Sequence, residues 1–434
     1  MKTTNPTDPT PVPDDISSRR SVRWLPTRRV GVALLLCAVL VVYLQVGDAT
    51  GDPGINNVLS MLLGALAIAI LVLWFLLFSG RPRWIRLLPL AGVAAFVLLF
   101  GTFYRLEQVT GALIPKFAPR SAPVAVAPSA AAPVTRPGTV DLVTTTAADF
   151  PQFLGRNRDL KVAGVRLDRA AAMPPELLWR QPIGAGWSGF AVVNGYAVTM
   201  EQRGGEERVS CYRAASGELL WSHAIVASFV NFGFGDGPRA TPVIDEGRVY
   251  ALGATGRLRA LDGGTGELLW DKDLPAEYGM TPAEEAKSLP YGRSNSPLVV
   301  GDLLVVPAGG PAGRRVSLVA YDKRTGERVW EGGDRQISCS SPAVARLAGS
   351  EQILSVNEDT VSGHDVSTGD VLWEHPWPGS TDNRAHASQP VPVAPNRIFL
   401  SKGYSQGAAL LELTPRADGR FDVTELWHEA RVLR

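Results

Sequence analysis

The hydrophobic pattern changes character partway along the chain. Residues 30–46, 55–78 and 87–104 carry no charged side chain and are apolar on every helical face. As helices, each could cross an apolar layer of about 30 Å, for which about 20 residues are needed, and apolarity all round suits lipid better than a one-sided core. From residue 176 onward, short apolar runs alternate with Gly, Pro, Asn and Asp clusters, the pattern of strands joined by hairpins. The stretch 105–148, rich in Ala and Pro, reads as an extended spacer. The expected organisation is a tail over 1–29, three membrane helices over 30–104, a linker over 105–148 and a β domain over 149–434.

Basic residues flank the apolar spans unevenly. Arg19, Arg20, Arg23, Arg28 and Arg29 precede the first, and Arg81, Arg83 and Arg86 separate the second from the third, whereas the first and second are separated by Asp48 and Asp52. Lys and Arg stay on the cytoplasmic side, so the N-terminus is expected in the cytoplasm of a bacterium and the β domain in the periplasm, beyond the inner membrane. Two further spans follow the first, which argues against a cleaved signal peptide. None of the spans holds a charged residue to carry an ion or proton, so they read as an anchor.

The β region repeats. The unit A-x-D-x-x-T-G-x-x-x-W runs from Ala260 to Trp270 and from Ala320 to Trp330, recurs with Gly for Ala from Gly363 to Trp373, and appears degenerate from Cys211 to Trp221, with Arg213 in place of Asp. Thr-Gly or Ser-Gly (Gly266, Gly326 and Gly369 in the three clear copies) supplies a turn with positive φ. Asp262, Asp322 and Asp365 can accept backbone N–H groups across it, and the Trp falls on the departing strand. Trp179, Trp221, Trp270, Trp330, Trp373 and Trp427 succeed one another at intervals of about 40 to 60 residues, a propeller-blade period with insertions. Small-residue and Pro signatures at Thr241-Pro242, Ser296-Pro297 and Ser341-Pro342 open a further strand pair ahead of each hairpin, which completes a four-stranded blade.

This unit resembles the tryptophan-docking repeat of the pyrroloquinoline quinone (PQQ) type β-propellers, the superfamily of quinoprotein alcohol dehydrogenases and of BamB-type outer-membrane assembly factors. The segments Asp149–Asp159, Phe234–Pro242 and Tyr291–Pro297 are similar to those of bacterial PQQ-like repeat proteins. The resemblance implies an all-β propeller of four-stranded blades, with Trp221, Trp270, Trp330 and Trp373 packed between neighbours. Blades are expected near 188–225, 240–274, 294–334, 338–377 and 386–429, with a lone strand at Glu176–Arg180. That lone strand favours an incomplete ring, completed by another chain or left open, over a closed five-bladed one.

Composition narrows the function. With 43 Lys+Arg against 42 Asp+Glu, the net charge of +1 offers nucleic acid no attractive field. Three cysteines, Cys37, Cys211 and Cys339, make neither a disulfide framework nor a C-x-x-C metal or haem motif. Cys211 and Cys339 are expected on strands of different blades, as free thiols. His223, His364, His375 and His428 scatter around outer hairpins and suggest no shared metal. Polar residues just before the small-Pro signatures are candidates for an axial ligand pocket: Asp236, Arg239, Arg293, Asn295, His386 and Gln389. The plainer alternative is that Asp236 pairs with Arg239 and that Asn295 satisfies backbone groups.

Two functional readings follow. One is a membrane-anchored, non-catalytic propeller that binds a protein or envelope component. The other, implied by the resemblance, is a membrane-bound PQQ-dependent alcohol or sugar dehydrogenase, which would require calcium, carboxylates around it and an Asp base. The adjacent cysteine pair common beside that cofactor does not occur in the sequence.

Overall fold

The computed structural model describes residues 26–430 apart from 48, 51–52, 110–112, 122–139, 163, 166–175, 232–234, 379–385 and 404–405. Most of the expected cytoplasmic tail, Asp48, Asp52 and the centre of the linker lie outside the described residues. The chain forms two compact units, residues 1–107 with 111–121 and residues 108–110 with 122–434.

In the first unit, α1 (Arg28–Val46), α2 (Pro53–Phe78) and α3 (Arg83–Phe103) are each long and apolar enough to cross a membrane. Their outward faces are leucine, valine and phenylalanine, a surface that water would not tolerate. Gln45 at the end of α1 donates to Asn57 Oδ1 at 3.1 Å and to Ser60 Oγ at 2.9 Å at the start of α2, so the polar groups at this helix junction satisfy one another. Beyond α3, Tyr104–Val109 and Pro115–Pro119 pair as a two-stranded sheet. The stretch expected to be an extended spacer is thus structured at its start. It is structured at its end as well, where Leu142 is buried in the propeller.

Among the described residues, the second unit contains five four-stranded antiparallel sheets. The first blade comprises Ala191–Val193, Tyr196–Arg203, Glu206–Arg213 and Leu219–Val226; the second, Val243–Asp245, Arg248–Leu252, Arg257–Asp262 and Leu268–Asp273. Leu298–Val300, Leu303–Gly309, Val316–Asp322 and Arg328–Gly332 form the third. The fourth comprises Ala343–Leu347, Ser350–Val356, Thr360–Asp365 and Val371–Pro376, and the fifth Val391–Ala394, Arg397–Lys402, Gly407–Pro415 and Phe421–Glu429. Central strands are buried on both faces, so they read as continuous apolar runs and not as alternations. Each seam between consecutive blades has its own apolar core: Val198, Met200 and Ile244 in the first, Leu252, Leu304 and Val306 in the second, Leu318 and Ile353 in the third, Leu354, Ile398 and Leu411 in the fourth.

The repeat motif builds these seams. Asp262 Oδ1 accepts from Thr265 N at 2.9 Å, Asp322 Oδ1 from Thr325 N at 2.8 Å and Asp365 Oδ1 from Thr368 N at 2.9 Å, which closes each hairpin over a glycine with φ of 73 to 77°. The ladder shifts register just before the Trp in the first four blades, and a matching bulge recurs in the fifth. In the first three blades the indole then reaches the hairpin of the following blade. Trp221 Nε1 donates to Gly263 O at 2.9 Å, Trp270 to Lys323 O at 3.3 Å and Trp330 to Val366 O at 3.1 Å. Each ring lies flat on the hairpin glycine, where a Cβ would come under 3.0 Å from it. Burying about 200 Å² of indole at about 25 cal/mol per Å² gives each dock about 5 kcal/mol of transfer free energy as an upper bound.

Glu176–Arg180, expected as a strand, joins no ladder. Trp179 nevertheless docks as the others do, donating to Ala214 O at 2.9 Å over Gly217. Trp373 departs from the pattern: it bonds Gln352 Oε1 of its own blade at 2.6 Å.

The chain leading into the first blade packs along the ends of the inner strands. Asp149 accepts from Asn194 N at 3.1 Å, Phe150 bridges to Val192, and Ile244 N donates to Pro151 O at 2.8 Å. Beyond it, Leu154, Arg158 and Leu160 adopt φ of 61, 53 and 57°, a conformation that costs an L-residue about 1–2 kcal/mol. Arg158 offsets this by donating to the carbonyls of Pro297 and Pro342, which ties the lead-ins of the third and fourth blades together.

Candidate functional site

The polar residues around the lead-ins are organised as a row of stitches. Thr241 N–H donates to Ser296 Oγ at 3.0 Å, and Ser296 N–H to Ser341 Oγ at 2.8 Å. Gln389, in the amide orientation that satisfies its neighbours, accepts from Ser341 N–H at 2.9 Å. These four residues all stand immediately before a proline, which holds the chain extended there and gives the second to fifth blades the same lead-in geometry. The small-Pro signature is therefore a connector between blades.

The candidate residues separate into three groups. Asp236 accepts from Asn231 N at 2.8 Å, while Arg239 donates from Nε to Tyr291 O at 2.9 Å and from Nη2 to Gly235 O at 2.8 Å, with its guanidinium 5.9 Å from the centroid of Trp187. Arg293 is fully buried and directed to Glu285 Oε1 at 2.6 Å and Pro307 O at 3.1 Å. Glu285 stands on the short helix Pro282–Ser288, which opens with a Thr281/Glu284 capping box, so Arg293 anchors that insertion to the third blade. Asn295 donates to Ser338 O at 2.8 Å and Ser340 O at 2.6 Å, the carbonyls either side of Cys339, and its Oδ1 has no partner.

His386 belongs to the same neighbourhood as Asn295. Its N–H donates to Ser338 Oγ at 2.6 Å, and its Nε2 lies 3.3 Å from Lys402 Nζ. Burial first, and the Lys402 charge second, push the imidazole down to about 4, so it is neutral near pH 7. Cys339 falls in the lead-in and not on a strand as expected, and it is a free cysteine. Burial raises that thiol above its ordinary value against the opposing influence of Ser294, Arg239 and Lys402. Cys211 is free and buried on its strand. Sequence reasoning missed Lys402, Cys339 and Arg158 as members of this region: Cys339 stood beside the Ser-Ser-Pro signature, whereas neither of the other two carries a local signal.

This donor set does not match a calcium site. Calcium needs several oxygen ligands, carboxylates above all, whereas Lys402, Arg239 and a protonated thiol gather near the lead-ins and Asp236 is turned to Asn231. Among the described residues, no three His, Cys, Asp or Glu side chains come together as a metal site.

Comparison with known proteins gives partial matches. The dehydrogenase subunit of alcohol dehydrogenase (quinone) from Komagataeibacter europaeus is 31% identical over 121 residues, 27% of this chain and 16% of that protein. The corresponding subunit from Gluconacetobacter polyoxogenes matches to the same extent, so the chain spans about a sixth of these relatives. Among solved structures, BamB from Moraxella catarrhalis aligns with a TM-score of 0.34 at 18% identity, covering 57% of this chain and 77% of that one. A quinohemoprotein alcohol dehydrogenase from Pseudomonas putida HK5 aligns with a TM-score of 0.33 at 18% identity, covering 56% and 42%. The family profile of the outer membrane protein assembly factor BamB matches residues 170–286 and 205–430, more than half of the sequence, and the chain accordingly belongs to this family of PQQ-like repeat proteins.

Proposed function

We propose that the protein is an inner-membrane-anchored propeller, its N-terminus cytoplasmic and its blades periplasmic, that serves as a non-catalytic binding module for a protein of the cell envelope. The observation that carries this reading is the run of exposed apolar side chains leading into the first blade: Leu177, Leu178, Ile183, Trp187 and Phe190, with Trp187 63% exposed. Large exposed apolar side chains concentrated on one segment mark interaction surfaces, and Trp beside Arg239 is the composition of an interface anchor. The use of lead-in polar groups as stitches supports a structural role for them. The orientation is supported by the arginines flanking the spans.

The test is photocrosslinking in native membranes, with the reactive group placed at Trp187 or Phe190 and, as a control, at Arg420 in the turn of the fifth blade. Discrete protein adducts from the first two sites and none from the control are expected. Absence of adducts, together with dye reduction that depends on added PQQ and calcium, would replace this reading with the quinoprotein dehydrogenase one, which the 31% identity over 121 residues supports.

A further inference from the structure

The turn joining the two inner strands is equivalent in the first four blades, and the second blade departs from the rest. Val193-Asn194-Gly195 in the first, Val300-Gly301-Asp302 in the third and Leu347-Ala348-Gly349 in the fourth correspond to Asp245-Glu246-Gly247 in the second. Asn194, Glu246, Gly301 and Ala348 share φ of 46 to 57°, a conformation that favours Asn or Gly. The repeat therefore does not call for two consecutive carboxylates here. Both line a cleft of about 240 Å³ between the entry chain and the inner strands of the first three blades. Pockets for drug-sized ligands run to about 300–1,000 Å³, so this one suits a smaller molecule. Arg156 of the entry chain lines the same cleft, and much of the remaining lining is apolar, including Leu142, Val193 and Ile244. Arg156 donates through Nη2 to Thr146 O at 2.9 Å, and its Nε and Nη1 make no hydrogen bond among the described residues. Lys323, outside the lining, bonds Asp245 Oδ2 at 2.7 Å and lies 3.3 Å from Glu246 Oε2. Asp245 Oδ1 and Glu246 Oε1 are left without a partner among the described residues. Arg324, which also reaches Glu246 Oε2, is balanced by Asp302 at 2.8 Å. Two carboxylates, Arg156 and Lys323 then sum to no net charge, which matches neither a lone anion nor a lone cation.

We propose that this cleft binds a small zwitterion, an amino acid with an apolar side chain: its carboxylate on Arg156, its ammonium on the free oxygens of Asp245 and Glu246, and its side chain against Leu142, Val193 and Ile244. The inference is independent of the proposed binding role, since the cleft holds no residue of the exposed segment around Trp187. A guanidinium is the donor that matches a carboxylate in geometry as well as charge, and an ammonium carries only donors, which two carboxylate oxygens receive. A simple carboxylate would meet Asp245 and Glu246 unbalanced, and a simple amine would meet Arg156. The site thus rejects each half of the zwitterion taken alone.

The experiment uses the full-length protein in detergent micelles, with binding followed by calorimetry and by melting. The probes are L-leucine, leucinamide, which lacks the carboxylate, 4-methylpentanoate, which lacks the ammonium, and glycine, which lacks the apolar side chain. L-leucine is expected to bind and raise Tm, and each of the other three to bind more weakly by about tenfold or more. Arg156→Gln should weaken leucine by about tenfold and leave leucinamide unchanged. Glu246→Asn, which installs the residue of the first-blade turn, should weaken leucine and leave 4-methylpentanoate no weaker. Both positions are exposed, so both variants are expected to fold, and melting without ligand verifies it; if one does not fold, the other decides. No leucine binding to the folded parent, leucine bound no better than its three analogues, or leucine binding unchanged in a folded variant overturns the proposal.

Discussion

Trp330 and Trp373 end the same repeat motif one blade apart and are held in opposite directions. Trp330 crosses to the fourth blade and bonds Val366 O over Gly369, whereas Trp373 folds back on its own blade and bonds Gln352 Oε1. Two substitutions account for the difference. The turn of the fifth blade, Arg416–Arg420, lacks the Thr-Gly pair that would receive an indole, and Gly363 replaces the alanine that pairs with the Trp in the second and third blades. A Cβ at 363 would overlap Trp373 Nε1 and lie 2.7 Å from Gln352 Oε1. The lesson is that the motif's tryptophan is specified by the blade after it. When that blade withholds the receptor, one alanine-to-glycine change lets the ring find a partner at home.

Four experiments break or sharpen this contrast. The largest effect is expected from Trp330→Ala, which removes a ring shared by two blades and should lower unfolding free energy by about 3–5 kcal/mol in urea denaturation. Next, Gly363→Ala should cost about 1–3 kcal/mol through overpacking, while the reverse change in the third blade, Ala320→Gly, should cost about 0.5–1 kcal/mol. Equal, small effects from the two would show that Trp373 does not occupy its own blade. Gln352→Leu leaves a buried indole N–H unpaired and should cost about 1–2 kcal/mol, whereas no loss at all would remove Gln352 as the anchor.

The smallest expected effect is on pH dependence, and it reports on the third seam. His364, fully buried, occupies the position held by Leu261 and Tyr321 in the preceding copies, and bonds Ser362 Oγ at 2.9 Å and Gly369 O at 3.0 Å. Burial above all holds its imidazole below the ordinary value, against the opposing pull of Gly369 and Glu374. The unfolded chain then takes up a proton near pH 6.5 that the folded one refuses, so this contribution is present above about pH 6.5 and is lost as pH falls below it. Denaturation midpoints measured from about pH 7.5 down to about pH 5 should fall less steeply for His364→Leu than for the parent; parallel slopes would refute the assignment.

What could be read in the sequence follows from how local each interaction is. Asp262, Thr265 and Gly266 act within one turn, so the hairpins, the blades and their number were legible. The three membrane helices were legible for the same reason, since lipid imposes a requirement on each segment separately. The partner of each indole was not, because Trp221 and Gly263 are joined across a seam. The lead-in polar groups were half legible: Asn295 and His386 precede prolines and drew attention, but Lys402 reaches His386 from the end of another strand. Arg293 looked axial from its position ahead of Pro297, and an insertion helix claims it through Glu285. Arg158 belongs to a segment with no repeat of its own, and its bonds to the Pro297 and Pro342 carbonyls exist only once the blades are side by side.

The two kinds of connector between blades share a direction. At the periphery an indole N–H of one blade meets a carbonyl of its successor, and at the lead-ins a backbone N–H of one blade meets a side-chain oxygen of its successor. Each junction is thus encoded half on either side, as a plug and a socket of constant gender. As far as these two connectors go, a blade bearing both halves fits the second or the third position alike, and what ties each to its own neighbours is the buried pairs Arg259–Glu207 and Lys323–Asp245. The fifth blade is outside that interchange: it offers a socket at its lead-in and none at its rim, and only a predecessor carrying Gly363 and Gln352 can precede it.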